Sequence, residues 1–215
     1  MKIDKKFVYR VLVYVLGLLF LAFSVAIAAN ANLGISPVNS LPYVVSLISS
    51  LPMSACIILV FCGYILLQII ILRREFKWIN LFQILFSTLL GYFVDFAKWV
   101  LGDWAIPTYA GSLAMTAISI VLISIGVALY VDTDLIPMPA EGLALAISKK
   151  TGISFPNMKM ILDCSFVALG ALLSVLFLHK LMGVREGTVL AALLVGKVMG
   201  LLQRWIKPLV RKICF

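Results

Sequence analysis

The ionisable side chains inside apolar stretches are the residues of this sequence that could do chemistry. Glu141 follows Pro139 by two positions in a short apolar segment, and Asp163 and Lys197 lie within two longer ones. Moving a charge into hydrocarbon is costly, so such residues commonly mark a proton relay, an ion pathway or a substrate site. We therefore take Glu141, Asp163 and Lys197 as candidate ligands of a proton, a cation or a polar solute.

Each of the three also has a purely structural alternative. Glu141 could stabilise the N-terminus of its own helix through the helix dipole. Asp163 could form an ordinary ion pair with Lys159, four positions earlier on the same helix. Lys197 could extend its ammonium group to the membrane interface, or it could pair with Glu141 or Asp163. The sequence leaves these alternatives open.

The segment that carries Glu141 has a counterpart in the first half of the chain. Residues 33–41 align with residues 135–143 at an offset of 102 positions, and a proline occupies the same place in both copies. At this offset the neutral Asn39 corresponds to Glu141, so the two copies differ in charge. We interpret the chain as two fused copies of one unit, and the asymmetry as favouring a single protonatable site.

The composition around these residues is that of a membrane protein. The chain has 215 residues, of which 63% are hydrophobic and 13% charged, against about half and about a quarter in soluble domains. The net charge of +9 comes from basic residues between the apolar segments, which is typical of a cytoplasmic membrane face and does not indicate nucleic-acid binding. The sequence predicts lipid as the surrounding solvent.

Eight apolar segments follow one another along the chain. Two of them, 38–51 and 139–148, are short, and at 1.5 Å per residue neither is long enough as a helix to cross about 30 Å of hydrocarbon. A proline stands near the start of each, as suits the first turn of a helix. The sequence therefore predicts an all-α polytopic membrane protein with two halves, 1–106 and 107–215. Its six full transmembrane helices are 11–29, 54–72, 79–100, 112–131, 160–178 and 187–205.

The basic residues discriminate between two topologies. If all eight segments cross, the copies are parallel and the loop containing Arg73 and Arg74 faces outside, which the positive-inside rule disfavours. If the short segments enter and return, each half crosses three times and the halves are inverted. That loop then lies inside together with Lys149, Lys150 and both chain termini. We favour the inverted arrangement, with cytoplasmic N- and C-termini.

Inverted repeats with broken or short helices are typical of secondary transporters, whose substrate sites lie between the repeats near the bilayer midplane. A helix N-terminus in such a cavity offers unpaired N–H groups that suit an anionic or carboxylate-bearing solute. The residues predicted to bind substrate or ions from these considerations are Ser36, Pro37, Asn39, Pro139, Glu141, Gly142, Asp163 and Lys197.

The two proline loops, together with residues 184–196, resemble the YczE/YitT-type family of bacterial integral membrane proteins over nearly the whole chain. The family pattern is a Gly-x-x-Pro-x-Asp loop in each half and a Gly-Thr pair opening the last span. Asn39 replaces the first Asp, Glu141 replaces the second, and Ile136 replaces the second Gly. The resemblance adds Thr188 to the candidate site. It implies a polytopic, multi-pass protein of the bacterial plasma membrane and indicates no substrate.

Three functions are compatible with these features. The first is a secondary transporter for a small polar solute, with proton coupling through Glu141. The second is a passive channel, and the third is a non-transporting membrane partner of another protein. The sequence shows no nucleophile–base pair, metal-ligand cluster or phosphate-binding loop, so we expect no enzyme, no catalytic residue, no metal and no cofactor. The expected partners are the lipid bilayer, an unidentified small molecule and a second copy of the chain, and no nucleic acid.

Overall fold

The computed structural model describes residues 5–214 and is helical throughout this range, with no strand. Residues 1–4 and 215, which belong to the two predicted halves, lie outside the described part. The eight α-helices are α1 Lys5–Ala31, α2 Pro37–Ser49, α3 Met53–Leu72, α4 Gln83–Leu101, α5 Tyr109–Val131, α6 Pro139–Thr151, α7 Phe155–Leu178 and α8 Glu186–Cys214. Two short 3₁₀ turns, Arg73–Glu75 and Trp78–Phe82, connect α3 to α4.

Six of the eight helices are long and apolar enough to cross a membrane, and α2 and α6 are the two that are not. The predicted all-helical polytopic class, with six long and two short helices, is confirmed. The bounds differ in detail, since α6 continues to Thr151 and α8 to Cys214, beyond the predicted ends at 148 and 205. The division into two domains stays a prediction.

The two short helices have the same length and the same local signals. Each has 13 residues and begins with a proline, Pro37 in α2 and Pro139 in α6, which lie 102 positions apart. Each ends at a residue in the left-handed conformation, Ser50 at φ 57° and Gly152 at φ 75°. Proline fits the first helical turn because the N–H that it lacks would have no partner there, so the repeated proline sets the start of both helices.

Helices α1 and α5 cross at the centre of the molecule, and their mutual contact is the most extensive between any two of these helices. A Cβ atom on Gly17 would lie 2.8 Å from the backbone nitrogen of Tyr130, and one on Gly126 would lie 2.7 Å from the carbonyl oxygen of Gly17. Small residues let membrane helices approach until their backbones touch. Glycine at these two positions therefore makes the close crossing possible.

The remaining helices pack around this pair, and some of the contacts that one half makes are matched by the other half. Helix α2 packs on α7 and α6 packs on α3, while α4 packs on α1 and α8 on α5. Helix α7 also packs extensively on α8, whereas α3 and α4 make no comparable contact. The two short helices are thus each held by a long helix of the other half.

Candidate functional site

Three buried charges lie together where α6 meets α7. The Nζ atom of Lys159 is 2.8 Å from Oδ1 of Asp163 and 3.1 Å from Oε1 of Glu141. The side chains of Lys159, Asp163 and Glu141 are 2%, 3% and 9% exposed. With all three ionised the cluster carries one net negative charge. A buried uncompensated charge is costly, so the cluster is suited to hold one further proton or cation.

The local sequence explains how these groups meet. Lys159 and Asp163 are four residues apart in α7, so they lie on one face of that helix. Glu141 stands in the first turn of α6, where the helix dipole favours a carboxylate. No side chain caps the N-terminus of α6 by a hydrogen bond, and the Glu141 carboxylate pairs with Lys159 instead. Glu141 therefore lies where the helix dipole stabilises a carboxylate, as the structural alternative requires. It also belongs to the charged cluster that could hold a proton or a cation, as the ligand hypothesis requires.

Three tyrosine side chains lie in the neighbourhood of the Glu141 carboxylate. Tyr14, Tyr64 and Tyr130 all interact electrostatically with it. The Tyr14 hydroxyl donates a hydrogen bond to the Ile136 carbonyl oxygen at 2.8 Å. The hydroxyls of Tyr64 and Tyr130 are both buried. The Tyr130 hydroxyl interacts with the Glu141 carboxylate and the Met138 backbone, whereas the Tyr64 hydroxyl has no hydrogen-bond partner in residues 5–214. Buried polar groups usually have partners, so the Tyr64 hydroxyl can still bond a water molecule or a ligand.

A pair of glutamine amides closes one side of the α6 N-terminus. Gln68 of α3 and Gln83 of α4 exchange two hydrogen bonds of 3.0 Å, and Gln68 also donates to the Pro139 carbonyl oxygen at 3.1 Å. A Cβ atom on Gly142 would lie 2.8 Å from Oε1 of Gln68 and 2.9 Å from Nε2 of Gln83. Gly142 thus serves the packing of this amide pair. Uncharged amides gave no signal in the sequence, and both glutamines were missed.

A large cavity of about 1370 Å³ reaches the first turn of α6 at Gly142. Its wall also contains residues from the α3–α4 connection, from the start of α7 and from the last part of α8. Eight charged side chains of the described chain line it, and they are Arg10, Glu75, Lys77, Asp132, Asp134, Lys149, Lys207 and Arg211. Glu75 is paired with Lys149 at 2.8 Å and also contacts Lys150. The cavity surface is therefore positively charged overall.

The loop between α5 and α6 lines this cavity and carries a half-buried carboxyl group. Arg10 of α1 donates hydrogen bonds of 3.0 and 2.8 Å to the Thr133 carbonyl oxygen and holds the loop in place. One oxygen of Asp132 accepts a bond of 3.4 Å from Gln203, and the other is buried without a partner in the described chain. Burial raises the pKa of the Asp132 carboxyl to about 6, against the opposing charge of Lys207.

The corresponding loop of the first half is tightly closed. Thr188, at the start of α8, donates a hydrogen bond of 2.7 Å to the Ile35 carbonyl oxygen, and the Gly187 amide donates to the Leu33 carbonyl oxygen at 2.9 Å. Gly34 has φ +117°, and a Cβ atom there would collide with the Thr188 hydroxyl. Ser36 lines only a crevice of about 40 Å³.

The structure brings some predicted site residues together and separates others. Pro139, Glu141, Gly142 and Asp163 converge at the start of α6, whereas Ser36, Pro37, Asn39 and Thr188 belong to the closed region around the start of α2. Asn39 is partly buried.

Lys197 is exposed on α8 and forms no ion pair within residues 5–214. A pairing of Lys197 with Glu141 or Asp163 is therefore wrong, because the cation beside both carboxylates is Lys159. The alternative that Lys197 extends to the membrane interface stays a prediction. The sequence had placed Lys159 with Asp163 alone.

These features define a polytopic helical membrane protein with a charged cluster beside a large cavity. The chain belongs to a family of unknown function, DUF6198, whose model matches residues 8–204. It is also similar to an uncharacterized membrane protein of Bacillus subtilis (strain 168), YczE. The two are 30% identical over 198 residues, which cover 91% of this chain and 86% of the relative. The resemblance to the YczE-type family is confirmed. No solved structure matches the chain.

Proposed function

We propose that the protein is a secondary transporter for a small polar solute, driven by proton binding at Glu141. The observation that carries the proposal is the large cavity that reaches α6 at Gly142, one residue from Glu141 of the buried cluster with Lys159 and Asp163. The region around the other short helix is closed to a crevice of about 40 Å³. A cavity open on one side alone is expected of a transporter in one of its two states, whereas a passive channel needs a continuous path.

The proposal includes two inverted repeats. The equal lengths of α2 and α6, their start sites 102 positions apart and the reciprocal pairs α2–α7 and α3–α6 support it. Inverted repeats place the substrate site at their interface and permit the two halves to exchange conformations.

The short helices are proposed to enter the membrane and return. The loop before α6 and the last turn of α6 both line the large cavity, at Asp134 and Lys149. Arg10 at the start of α1 and Arg211 near the end of α8 line the same cavity. The excess of basic residues there supports a cytoplasmic location by the positive-inside rule. The chain termini are therefore proposed to be cytoplasmic, in a bacterial plasma membrane.

Charge balance supports proton coupling through the cluster. Two carboxylates and one ammonium group leave one negative charge in a buried site, and one bound proton would neutralise it. Charged groups at membrane depth are expensive unless they are paired, so the site favours the proton-bound state when it is closed to water. Glu141 is the proposed acceptor because it directly precedes Gly142, which lines the large cavity.

An anionic or carboxylate-bearing solute fits the surroundings best. The cavity wall carries more basic than acidic side chains, and the helix N-terminus at Pro139 adds partial positive charge. The proposal assigns no catalytic residue and no cofactor.

Transport is tested with purified protein in vesicles that contain a pH-sensitive dye. Small carboxylates, phosphorylated metabolites and neutral amino acids are added in turn, and protein-dependent proton flux is recorded. We expect flux with one solute class, its loss in Glu141→Gln and its retention in Asp103→Asn, an exposed loop variant. Flux that persists in Glu141→Gln would overturn the coupling. The absence of flux with every class would overturn transport and favour a membrane partner role.

The topology is tested with single cysteines in intact cells, after the four native cysteines are replaced. Cysteines placed at Arg74 and Ser50 are treated with an impermeant thiol reagent. The inverted arrangement predicts that position 74 is protected and that position 50 is labelled. The reverse pattern would mean that all eight helices cross in parallel copies.

A further inference from the structure

Helix α4 has a surface that does not match a lipid environment. It is the least apolar of the six spans, yet only 6% of its most apolar window is buried in the chain, against 44% for α1 and for α5. A span with more polar residues should be shielded from hydrocarbon, because polar groups are costly there. The least apolar of the six spans is therefore the one that the rest of the chain buries least.

The exposed polar residues of α4 lie on one face together with Gly91. Thr88, Gly91, Tyr92, Asp95 and Lys98 are all exposed. Their spacing of three and four residues places them along one side of the helix. We call this set the α4 face. Asp95 lies six residues before the end of α4, which corresponds to about 9 Å of helix, and neither Asp95 nor Lys98 has an ion pair within residues 5–214.

We propose that the α4 face binds the α4 face of a second copy of the chain. A two-fold axis along the membrane normal brings the same surface of both copies together, so the face must be complementary to itself. Asp95 and Lys98 meet this condition, since each carboxylate can pair with the ammonium group of the other copy. Two intermolecular ion pairs then replace four charges, two in each copy, that have no ion pair within the described part of one chain.

Gly91 supplies the close approach that such an interface requires. A Cβ atom added there would meet nothing within 4 Å, so the glycine serves no packing inside one copy. Glycine at helix interfaces in membranes permits backbone contact between the two helices. The crossing point is therefore placed at Gly91, with Thr88 and Asp95 one turn to either side. This dimer does not depend on the proposed transport.

Cross-linking tests the crossing point in the full chain. In a background without native cysteines, Gly91→Cys and Thr88→Cys are each oxidised in membranes. The control is Leu169→Cys, which lies on the exposed surface of α7 at a similar distance from its helix end. We expect a dimer for most of the protein in both α4 variants and for almost none of the control. Equal cross-linking in all three variants, or none in the α4 variants, would overturn the proposal.

Charge reversal tests the self-complementarity. Asp95→Lys and Lys98→Asp should each lose the dimer, whereas the double variant should regain it. Coexpression of the two single variants should give a mixed dimer, which also shows that both chains insert and fold. A double variant that stays monomeric would overturn the proposal, because Asp95 and Lys98 would then contact something other than a second copy of the chain. Dimers that persist in both single variants would also overturn it.

Discussion

Glu141 and Lys159 form the ion pair that joins the first turn of α6 to α7, with Oε1 and Nζ 3.1 Å apart. The same ammonium group binds Asp163 at 2.8 Å. One cation therefore compensates two carboxylates on different helices, and the position of α6 depends on electrostatics as well as on packing.

Replacing Lys159 by Met should destabilise the protein strongly. The change leaves Glu141 and Asp163 buried without their cation, and breaking a buried pair from one side costs about 3–5 kcal/mol. We expect a large fall in the thermal unfolding midpoint of the purified protein. The control is Lys197→Met, which removes an exposed ammonium group and should change little.

Removing the carboxylates should compensate for the loss of Lys159. The variant that combines Lys159→Met with Glu141→Gln and Asp163→Asn contains no unpaired charge in the cluster, so it should recover much of the stability. A triple variant as unstable as Lys159→Met would show that Lys159 acts through packing and not through charge.

An alanine at position 142 should disrupt the amide pair beside α6. Its Cβ atom would lie within 3 Å of both the Gln68 and Gln83 amides. Overpacking of a well-packed core typically costs about 1–3 kcal/mol. Gly63→Ala is the matched control, because a Cβ atom there meets nothing within 4 Å and alanine favours the helix. Equal unfolding midpoints for the two variants would contradict the packing role of Gly142.

The predictable parts of the site were those with a local signal. The cost of burying charge was enough to identify Glu141 and Asp163, and repeated prolines located both short helices. The contact between Glu141 and Lys159 requires α6 to pack on α7, and no spacing in the chain encodes that distance. For the same reason Lys197 was a reasonable candidate cation for the cluster until the packing of α8 showed it to be exposed.

Thr188→Val should loosen the closed loop between α1 and α2. The Thr188 hydroxyl is buried and donates to the Ile35 carbonyl oxygen at 2.7 Å. Valine has nearly the same shape but leaves that carbonyl without its donor, which costs about 1–3 kcal/mol. Faster thiol labelling of a cysteine at Ser36 would report the opening. Thr188→Ser keeps the hydroxyl and should label slowly, and fast labelling of both variants would contradict the hydrogen-bond explanation.

The stability of the protein should fall as pH rises from about 4 to about 6, through the titration of Asp132. In the folded state burial raises the pKa of this carboxyl to about 6, whereas an unfolded aspartate titrates near 4. Between these values the folded state binds more protons than the unfolded state, so raising the pH favours unfolding. Above about pH 6 the loss is complete. Below about pH 4 both states are protonated, and the effect vanishes.

The measurement is the difference between the unfolding midpoints of wild-type protein and Asp132→Asn, taken at several pH values in one detergent. Subtracting the variant removes the contribution of other carboxyl groups, including Asp134 on the same loop. The difference should shift in favour of the variant as pH rises through this window and then stay constant. Asp103→Asn, in an exposed loop, should track the wild type at every pH. A difference that is independent of pH would contradict the prediction, because it would show that the Asp132 carboxyl has the same pKa in the folded and unfolded states.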